Sequence, residues 1–313
     1  MNKYQSYLLS EEARDITLGH KKKRPPTKSS KNEQLFGYLF VLIPIIGFSI
    51  FVLYPTITSI ITSFTDYQLF SKSLFTSNWV WLDNYVQLFK TKEFWNALLN
   101  TVVLLVSIPI GITLGLLVAT YINRASHGSK LLSLFYYLPA VTSAVAISIV
   151  FNYMFDYSYG IFHNFFGIDI FWFDANDFFL AKIAILIKGI WGGIGGTMIL
   201  FLAGLNGIPH EYYEASTIDG ATPFQQFMYI TVPMVHPTLF YLVLTQVISH
   251  LQAYADAKLF TNGGQGTTVV YYIWEKLYPT GNYGLMTAAT TFIAIIILVI
   301  TVIQFKRSKM FDI

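Results

Sequence analysis

A chain of 313 residues that is 54% hydrophobic and only 12% charged carries about half the charge of an ordinary soluble domain, where roughly a quarter is usual. That composition excludes a disordered chain and most soluble enzymes, and a net charge of +3 is too small to imply a nucleic-acid partner. With no cysteine, disulfides, thiol nucleophiles and thiolate metal sites are excluded as well.

Residues 1–34 form a polar, basic tail with the run Lys21-Lys22-Lys23-Arg24. A cleavable signal puts its apolar region within a few residues of the start, and this segment does not, so the first apolar stretch reads as a retained anchor. The tail reads as a topology determinant beside anionic lipid. Beyond it, charges act as punctuation. Six stretches free of Asp, Glu, Lys and Arg follow, each longer than the ~20 residues a helix needs to cross ~30 Å of hydrocarbon. They predict spans near 36–60, 98–122, 132–155, 184–206, 235–255 and 285–305. A soluble amphipathic helix would show charges along its wet face. Pro223, Pro233 and Pro237 interrupt the first half of the fifth stretch, so its helix is expected to start near Val235. The fold class is therefore all-α: a cytoplasmic tail over 1–34 and a six-span polytopic membrane domain over 35–313.

Cation counting sets the orientation. The tail, Arg124, Lys130 and the C-terminal Lys306, Arg307 and Lys309 put thirteen Lys and Arg on one side, against seven on the other, while the carboxylates split almost evenly. Both termini are expected in the cytoplasm of a bacterium, with the chain in its inner or plasma membrane. The outer segment 66–93 holds Trp79, Trp81 and Tyr85, with Trp95 just beyond it, which read as an interfacial aromatic belt. The outer segment 156–181 reads as a short interfacial helix with a loop.

The inner segment 207–234 contains Glu211, Glu214 and Asp219 but no Lys or Arg, although it faces the cytoplasm. Pro209 suits a helix start, with Glu211 and Glu214 favourable to the dipole of its first turns. Gly220 permits a positive φ and a sharp turn. Thr222, Pro223, Phe224, Phe227 and Ile230 suggest a second short helix ended by Pro233. A simple amphipathic surface helix prefers cations beside anionic lipid; this hairpin reads instead as a plug for a partner protein.

These residues also carry a resemblance. Glu214-Ala215-Ser216, Asp219-Gly220-Ala221 and Ile230-Thr231-Val232-Pro233 resemble the E-A-A, G, I-x-L-P loop of binding-protein-dependent ABC importer permeases, with Ser216 for the second Ala and Val232 for Leu. Leu259-Phe260-Thr261-Asn262-Gly263-Gly264-Gln265-Gly266 is similar to the L-T-x-G-G-P segment of carbohydrate permeases of the larger maltose or glycerol-3-phosphate type. Trp81-Leu82-Asp83-Asn84-Tyr85 and Asn100-Thr101 resemble the G-L-x-N-Y and N-T positions of that group. The resemblance implies a non-enzymatic transport subunit that binds no cofactor itself, pairs with a second permease, is driven by two ATPase subunits that bind ATP and magnesium, and receives a carbohydrate from an extracellular solute-binding protein. Nucleic acid has no place in it. Glu214, Ala215, Ser216, Asp219, Gly220 and Ala221 would form the coupling helix against an ATPase subunit. The chain itself has no G-x-x-x-x-G-K-[ST] phosphate loop.

For the pathway, Gln246, Ser249, His250 and Ala253 recur at i, i+3, i+4 and i+7 of the fifth span, one helical face. Polar side chains in a span normally face a bundle interior or a cavity. The resemblance places the sugar-contacting face on the same positions. Lys188 and Trp191 of span four are further candidates: Lys188 either snorkels to the outer interface or meets an acidic sugar, and Trp191 either packs or stacks. The glycines at 192, 193, 195 and 196 serve either close helix packing or a wider cavity. An ion-coupled carrier and a permease for glycerol-3-phosphate or another small solute are the competing readings; the first usually needs a carboxylate inside a span, and no predicted span holds one in its interior, Asp256 sitting at the outer end of the fifth.

Overall fold

The computed structural model describes residues 31–71, 73–124, 128–173, 178–261 and 268–308. The basic run, the Asn262–Gly266 part of the glycine-rich segment, Asp174, Asp177 and Lys309 lie outside these residues. The chain divides into two units, Met1–Ile57 and Thr58–Ile313. In the first, α1 (Lys31–Phe48) runs into a π-turn over Ser49–Leu53 and then into α2 (Tyr54–Thr62). Its apolar side chains are exposed, Phe40 by 85% and Phe51 by 79%, as befits a helix whose solvent is hydrocarbon.

The second unit follows α2 with α3 (Asp83–Lys90), α4 (Lys92–Leu104), α5 (Ser107–Arg124), α6 (Ser129–Val141), α7 (Ala144–Phe155), α8 (Phe178–Asn206), α9 (His210–Ile218), α10 (Pro223–Gln226), α11 (His236–Leu251), α12 (Ala255–Thr261) and α13 (Tyr283–Arg307). Among the described residues, four apolar helical segments are long enough to cross a bilayer: 35–62, 92–124, 179–206 and 283–307. Two more arise from bent pairs, α6 with α7 at 93° and Pro223–Met234 with α11 at 65°. With each bent pair counted as one span, the six predicted spans are present, but two are not single helices: the second divides into α4 and α5 at Leu105–Val106. The third is not a single helix over 132–155; it breaks at Thr142–Ser143. Pro139 leaves the Phe135 carbonyl without its helical donor, and the Thr142 hydroxyl ties back to the Leu138 carbonyl at 2.9 Å as the chain turns. The fifth span starts at His236, one residue from the expected position.

Proline also explains a feature that sequence periodicity hides. Tyr54, Val232 and Tyr278 each donate their N–H five residues back, to Ser49, Phe227 and Ile273, and each is followed directly by proline: Pro55, Pro233 and Pro279. A proline ring crowds the carbonyl four residues earlier; widening the preceding turn to π geometry relieves that contact. Pro233 therefore does not end the second hairpin helix, as its position suggested, and the helical backbone passes through it to Met234.

Among the described residues, three buried clusters hold the second unit together. One joins Ile112, Leu116 and Ala119 of α5 with Met198 and Phe201 of α8 and Leu242 of α11. The α5–α8 crossing is close enough that a Cβ on Gly115 would lie 2.6 Å from Thr197 Cγ2. A second cluster packs Phe94 and Ala97 of α4 against Val269, Ile273 and Met286. The third sets Phe151 and Phe155 of α7 against Ala184 and Ile185 of α8 and Phe260 of α12. Asn84, Asn100 and Thr101, prominent in the resemblance, are buried fasteners. Asn84 Nδ2 donates to the Ser63 and Thr65 carbonyls at 2.9 Å each. Thr101 Oγ1 accepts the Val269 N–H at 2.9 Å, and Asn100 Oδ1 accepts from Lys182 Nζ at 3.0 Å.

Candidate functional site

Between α5, α8 and α11 lies a cavity of about 330 Å³ lined by Ser107, Gly111, Gly189, Gly192, Gly193, Gly196, Thr197, Gln246, Ser249 and His250, together with apolar Ala140, Leu200 and Leu242. Three of the four stripe residues, Gln246, Ser249 and His250, face it as their spacing predicted. Their polar groups are held in place. Gln246 Nε2 donates to Thr197 Oγ1 at 3.0 Å; His250 Nδ1 lies 2.8 Å from the Gln246 carbonyl oxygen; His250 Nε2 lies 3.0 Å from Ser107 Oγ. Because a carbonyl only accepts, Nδ1 carries the proton of that contact. Ala253 falls outside the main cavity, in a separate space of about 30 Å³ with Asp256, Thr268 and one edge of His250, where its carbonyl accepts from Thr268 Oγ1 at 2.7 Å.

The glycines of α8 divide by face. Gly189, Gly192, Gly193 and Gly196 stand at i, i+3, i+4 and i+7 and line the cavity, and a Cβ added to any of them meets nothing within 4 Å. Gly195 points the other way, and its added Cβ would run into the Tyr136 carbonyl of α6. Packing and widening, the two alternatives for this cluster, are both realised, each on its own face.

Neither Lys188 nor Trp191, the span-four candidates, lines this cavity. Lys188 is buried, and its Nζ sits 2.7 Å from Asp256 Oδ1 on α12; Ser148 Oγ of α7 donates to the same carboxylate oxygen at 2.6 Å. Burial of a lysine stem requires a partner for its ammonium, and Asp256 supplies one from inside the chain. Trp191 lies over a distinct apolar hollow of about 360 Å³ at the α6–α7 bend, its ring 5.3 Å from that of Phe151. Sequence reasoning missed Ser107 and Thr197 as lining residues and missed the Lys188–Asp256 pair. The signal for the pair was present: opposite charges, Lys188 inside the outer end of span four and Asp256 just past that of span five.

At the other end of α11 stands the hairpin. Pro209 stands at the N-cap position of α9, which spans His210–Ile218, without a side-chain capping bond, and Gly220 adopts φ 78° with nothing within 4 Å of the Cβ position. Thr222 then caps α10 with a reciprocal box, its Oγ1 accepting from the Gln225 N–H at 3.3 Å and Gln225 Oε1 from the Thr222 N–H at 2.7 Å, with Pro223 at the first helical position. Glu214, Ala215, Asp219 and Gly220 are exposed, whereas Ser216 and Ala221 are half-buried. The hairpin also exposes large apolar side chains: Tyr212 is 53% exposed, Ile218 87% and Phe224 70%. The hairpin is braced from within. Gln226 Nε2 donates to Ser216 Oγ and Thr217 Oγ1, both at 3.0 Å, and Tyr213 Oη lies 3.0 Å from Thr231 Oγ1 in the π-turn.

A multi-span helical protein with a polar cavity among its spans and a polar-apolar hairpin outside them defines a membrane permease. The family model for the binding-protein-dependent transport system inner membrane component matches residues 111–306, and the chain belongs to that family. It is similar to the probable ABC transporter permease protein YesP of Bacillus subtilis, 31% identical over 296 residues that cover 90% of this chain and 93% of that protein. It is also similar to the lactose transport system permease protein LacF of Rhizobium radiobacter, 33% identical over 288 residues that cover 87% and 92%. Among solved structures, the fold resembles a chain of a bacterial alginate ABC transporter crystallised with an alginate pentasaccharide-bound periplasmic protein, at TM-score 0.74 and 24% identity over 88% of this chain and 93% of that one. The protein is thus a multi-pass subunit of a binding-protein-dependent ABC transporter, a class in which ATP hydrolysis resides in a separate subunit.

Proposed function

We propose that the chain forms one half of a transmembrane pathway for a carbohydrate, an oligosaccharide, with a second permease subunit as the other half. An extracellular solute-binding protein delivers the sugar, and two ATPase subunits on the cytoplasmic side drive its passage. The observation that carries this reading is the continuity of one segment: the exposed hairpin of Glu214 and Gly220 leads through the π-turn at 227–231 into α11, whose far face presents Gln246, Ser249 and His250 to the cavity. The naming of LacF as a lactose permease and the alginate pentasaccharide of the solved transporter support the substrate class. Sugar hydroxyls both donate and accept, and an amide, a hydroxyl and an imidazole match them without a net charge.

The hairpin, the α5–α6 loop and both termini lie on the cytoplasmic side in this proposal, consistent with the cation count. Glu214 meets a basic residue of an ATPase groove, and the apolar Ile218 and Phe224 seat the hairpin there. Closure of the ATPase dimer then moves the hairpin, and the segment beyond it re-aims the α11 face from one side of the membrane to the other. This chain forms and breaks no covalent bond. The test is Glu214→Lys in the reconstituted complex. Substrate-stimulated ATPase activity is expected to vanish while the subunits still co-purify; persistence of stimulation in a normally assembled complex overturns the coupling assignment.

A further inference from the structure

The cavity has a definite charge character, and Asp256 sets it. Among the described residues that line the cavity, polar groups come from Ser107, Thr197, Gln246, Ser249 and His250, and no Lys, Arg, Asp or Glu is among them. Two lysines stand on the cavity-forming helix α8, and both are engaged elsewhere. Lys182 donates to Asn100 on α4. Lys188 lies one residue before Gly189 and one turn before Gly192, at the edge of the glycine-lined wall, yet its ammonium is drawn 2.7 Å from Asp256. Ser148 donates to the same oxygen, so three helices, α7, α8 and α12, converge on this pair. A uronate carboxylate entering such a cavity leaves bulk water for a site with no cation to meet it, which is unfavourable; a neutral saccharide exchanges its water contacts for Gln246, Ser249 and neighbouring hydroxyls.

We infer that Asp256 is a specificity-determining residue: by holding Lys188 away from the passage, it leaves this subunit's wall uncharged and suited to a neutral saccharide. The inference rests on the carbohydrate reading above. Asp256 acts through Lys188 and is a positioning residue.

The chain has no cysteine, so Ser249→Cys puts a single thiol of this subunit on the cavity wall. In the reconstituted complex, with other subunits stripped of reactive thiols, the rate at which that thiol is alkylated reads cavity occupancy directly, without selection by the binding protein. The probes are a set of neutral hexose trisaccharides and trigalacturonate. At least one neutral trisaccharide is expected to slow alkylation while trigalacturonate does not. Adding Asp256→Asn, which frees Lys188, is expected to make trigalacturonate protective, with apparent affinity raised about tenfold, the factor that corresponds to ~1.4 kcal/mol. The paired variant Lys188→Met/Asp256→Asn, which removes both charges together, is expected to assemble and to show the original neutral preference. Failure of trigalacturonate to protect in an assembled Asp256→Asn complex overturns the inference; should that variant not assemble, the parent still tests it through the outcome that follows. Protection by trigalacturonate in the parent, lost in the paired variant, overturns the inference. If neither class protects, the carbohydrate reading of this cavity fails first.

Discussion

Gln226 Nε2 reaches back across the turn to Ser216 Oγ at 3.0 Å, joining the two arms of the hairpin at the position where the permease pattern resembled by this segment has alanine. The same amide also donates to Thr217 Oγ1 at 3.0 Å and approaches the Tyr213 carbonyl at 3.4 Å. Each such bond contributes about 1 kcal/mol net, so the brace fixes the angle between α9 and α10 more than it adds to global stability. Gln226→Leu is expected to leave assembly intact and to lower substrate-stimulated ATPase activity relative to basal activity. Ser216→Ala should have a smaller effect because Thr217 retains the amide. Equal loss in both variants would show that Ser216 acts by another route, such as direct contact with the ATPase.

A second tie lies beyond the spans. Lys258 Nζ meets Glu275 Oε1 at 2.7 Å, and Tyr254 Oη donates to the same oxygen at 2.5 Å. The lysine, and after it the tyrosine, lower the Glu275 pKa; Glu275 first, then Tyr254, raise that of Lys258. A depressed carboxylate contributes above its unfolded pKa of about 4.3, and a raised ammonium below its unfolded pKa of about 10.4. The contribution is therefore constant between these limits. It falls in acid as pH passes through the lowered Glu275 value and in base as pH passes through the raised Lys258 value. Lys258 is exposed and Glu275 only half-buried, so solvent screening keeps the effect small. Melting of the detergent-solubilised complex should show no difference between parent and Glu275→Gln in its dependence on pH from about 6 to 9. A slope confined to the parent within that window would show a different titrating group at this site.

Trp81 occupies φ 51°, the only positive φ of a non-glycine residue among those described, at the position that corresponds to glycine in the resembled G-L-x-N-Y pattern. Left-handed backbone costs an L-residue roughly 1–2 kcal/mol, and the ring, 73% exposed, recovers little by burial. Trp81→Gly removes that strain but loosens the unfolded chain by about 0.5–1 kcal/mol. The net expectation is a slight rise in melting temperature. A fall would mean that the Trp81 ring, 6.3 Å from that of Trp79, is held in place by interactions at the membrane surface that outweigh the strain.

What could be read in advance depended on the range of the interaction. Spans were legible because a charge-free run of sufficient length is a local property, and the hairpin was legible because Pro209, Gly220 and Thr222 act on their own backbone. The break at Thr142–Ser143 was not: Pro139 announces a weakened turn, but packing decides whether the helix bends there. The π-turns ahead of Pro55, Pro233 and Pro279 also escaped, since proline reads as a helix end unless the preceding turn can widen. Charge pairing was the costliest omission. Lys188 was weighed as a snorkelling side chain or a sugar ligand, and its partner Asp256 lies 68 residues away in sequence. The glycines, by contrast, held more than was read: 189, 192, 193 and 196 trace one face, and 195 does not belong to it.

That division of faces separates two substitutions only two residues apart. At Gly195 an added methyl collides with the Tyr136 carbonyl of α6, and backbone atoms cannot rotate aside as a side chain can. Gly195→Ala should force the α6–α8 contact apart at a cost of about 1–3 kcal/mol, seen as a lower melting temperature and poorer recovery of the assembled complex. At Gly193 the methyl enters open space beside Gln246 and Ser249, and Gly193→Ala should leave melting unchanged within about 0.5 kcal/mol. Gly193→Leu places three further carbons in a cavity of about 330 Å³. It should assemble normally, keep basal ATPase activity and reduce uptake, with long oligosaccharides losing more than disaccharides. If Gly193→Leu assembles and transports all lengths as the parent does, the passage does not run along this face of α8. If it melts as low as Gly195→Ala, the face is filled in the assembled complex, and its glycines serve packing against the second permease instead.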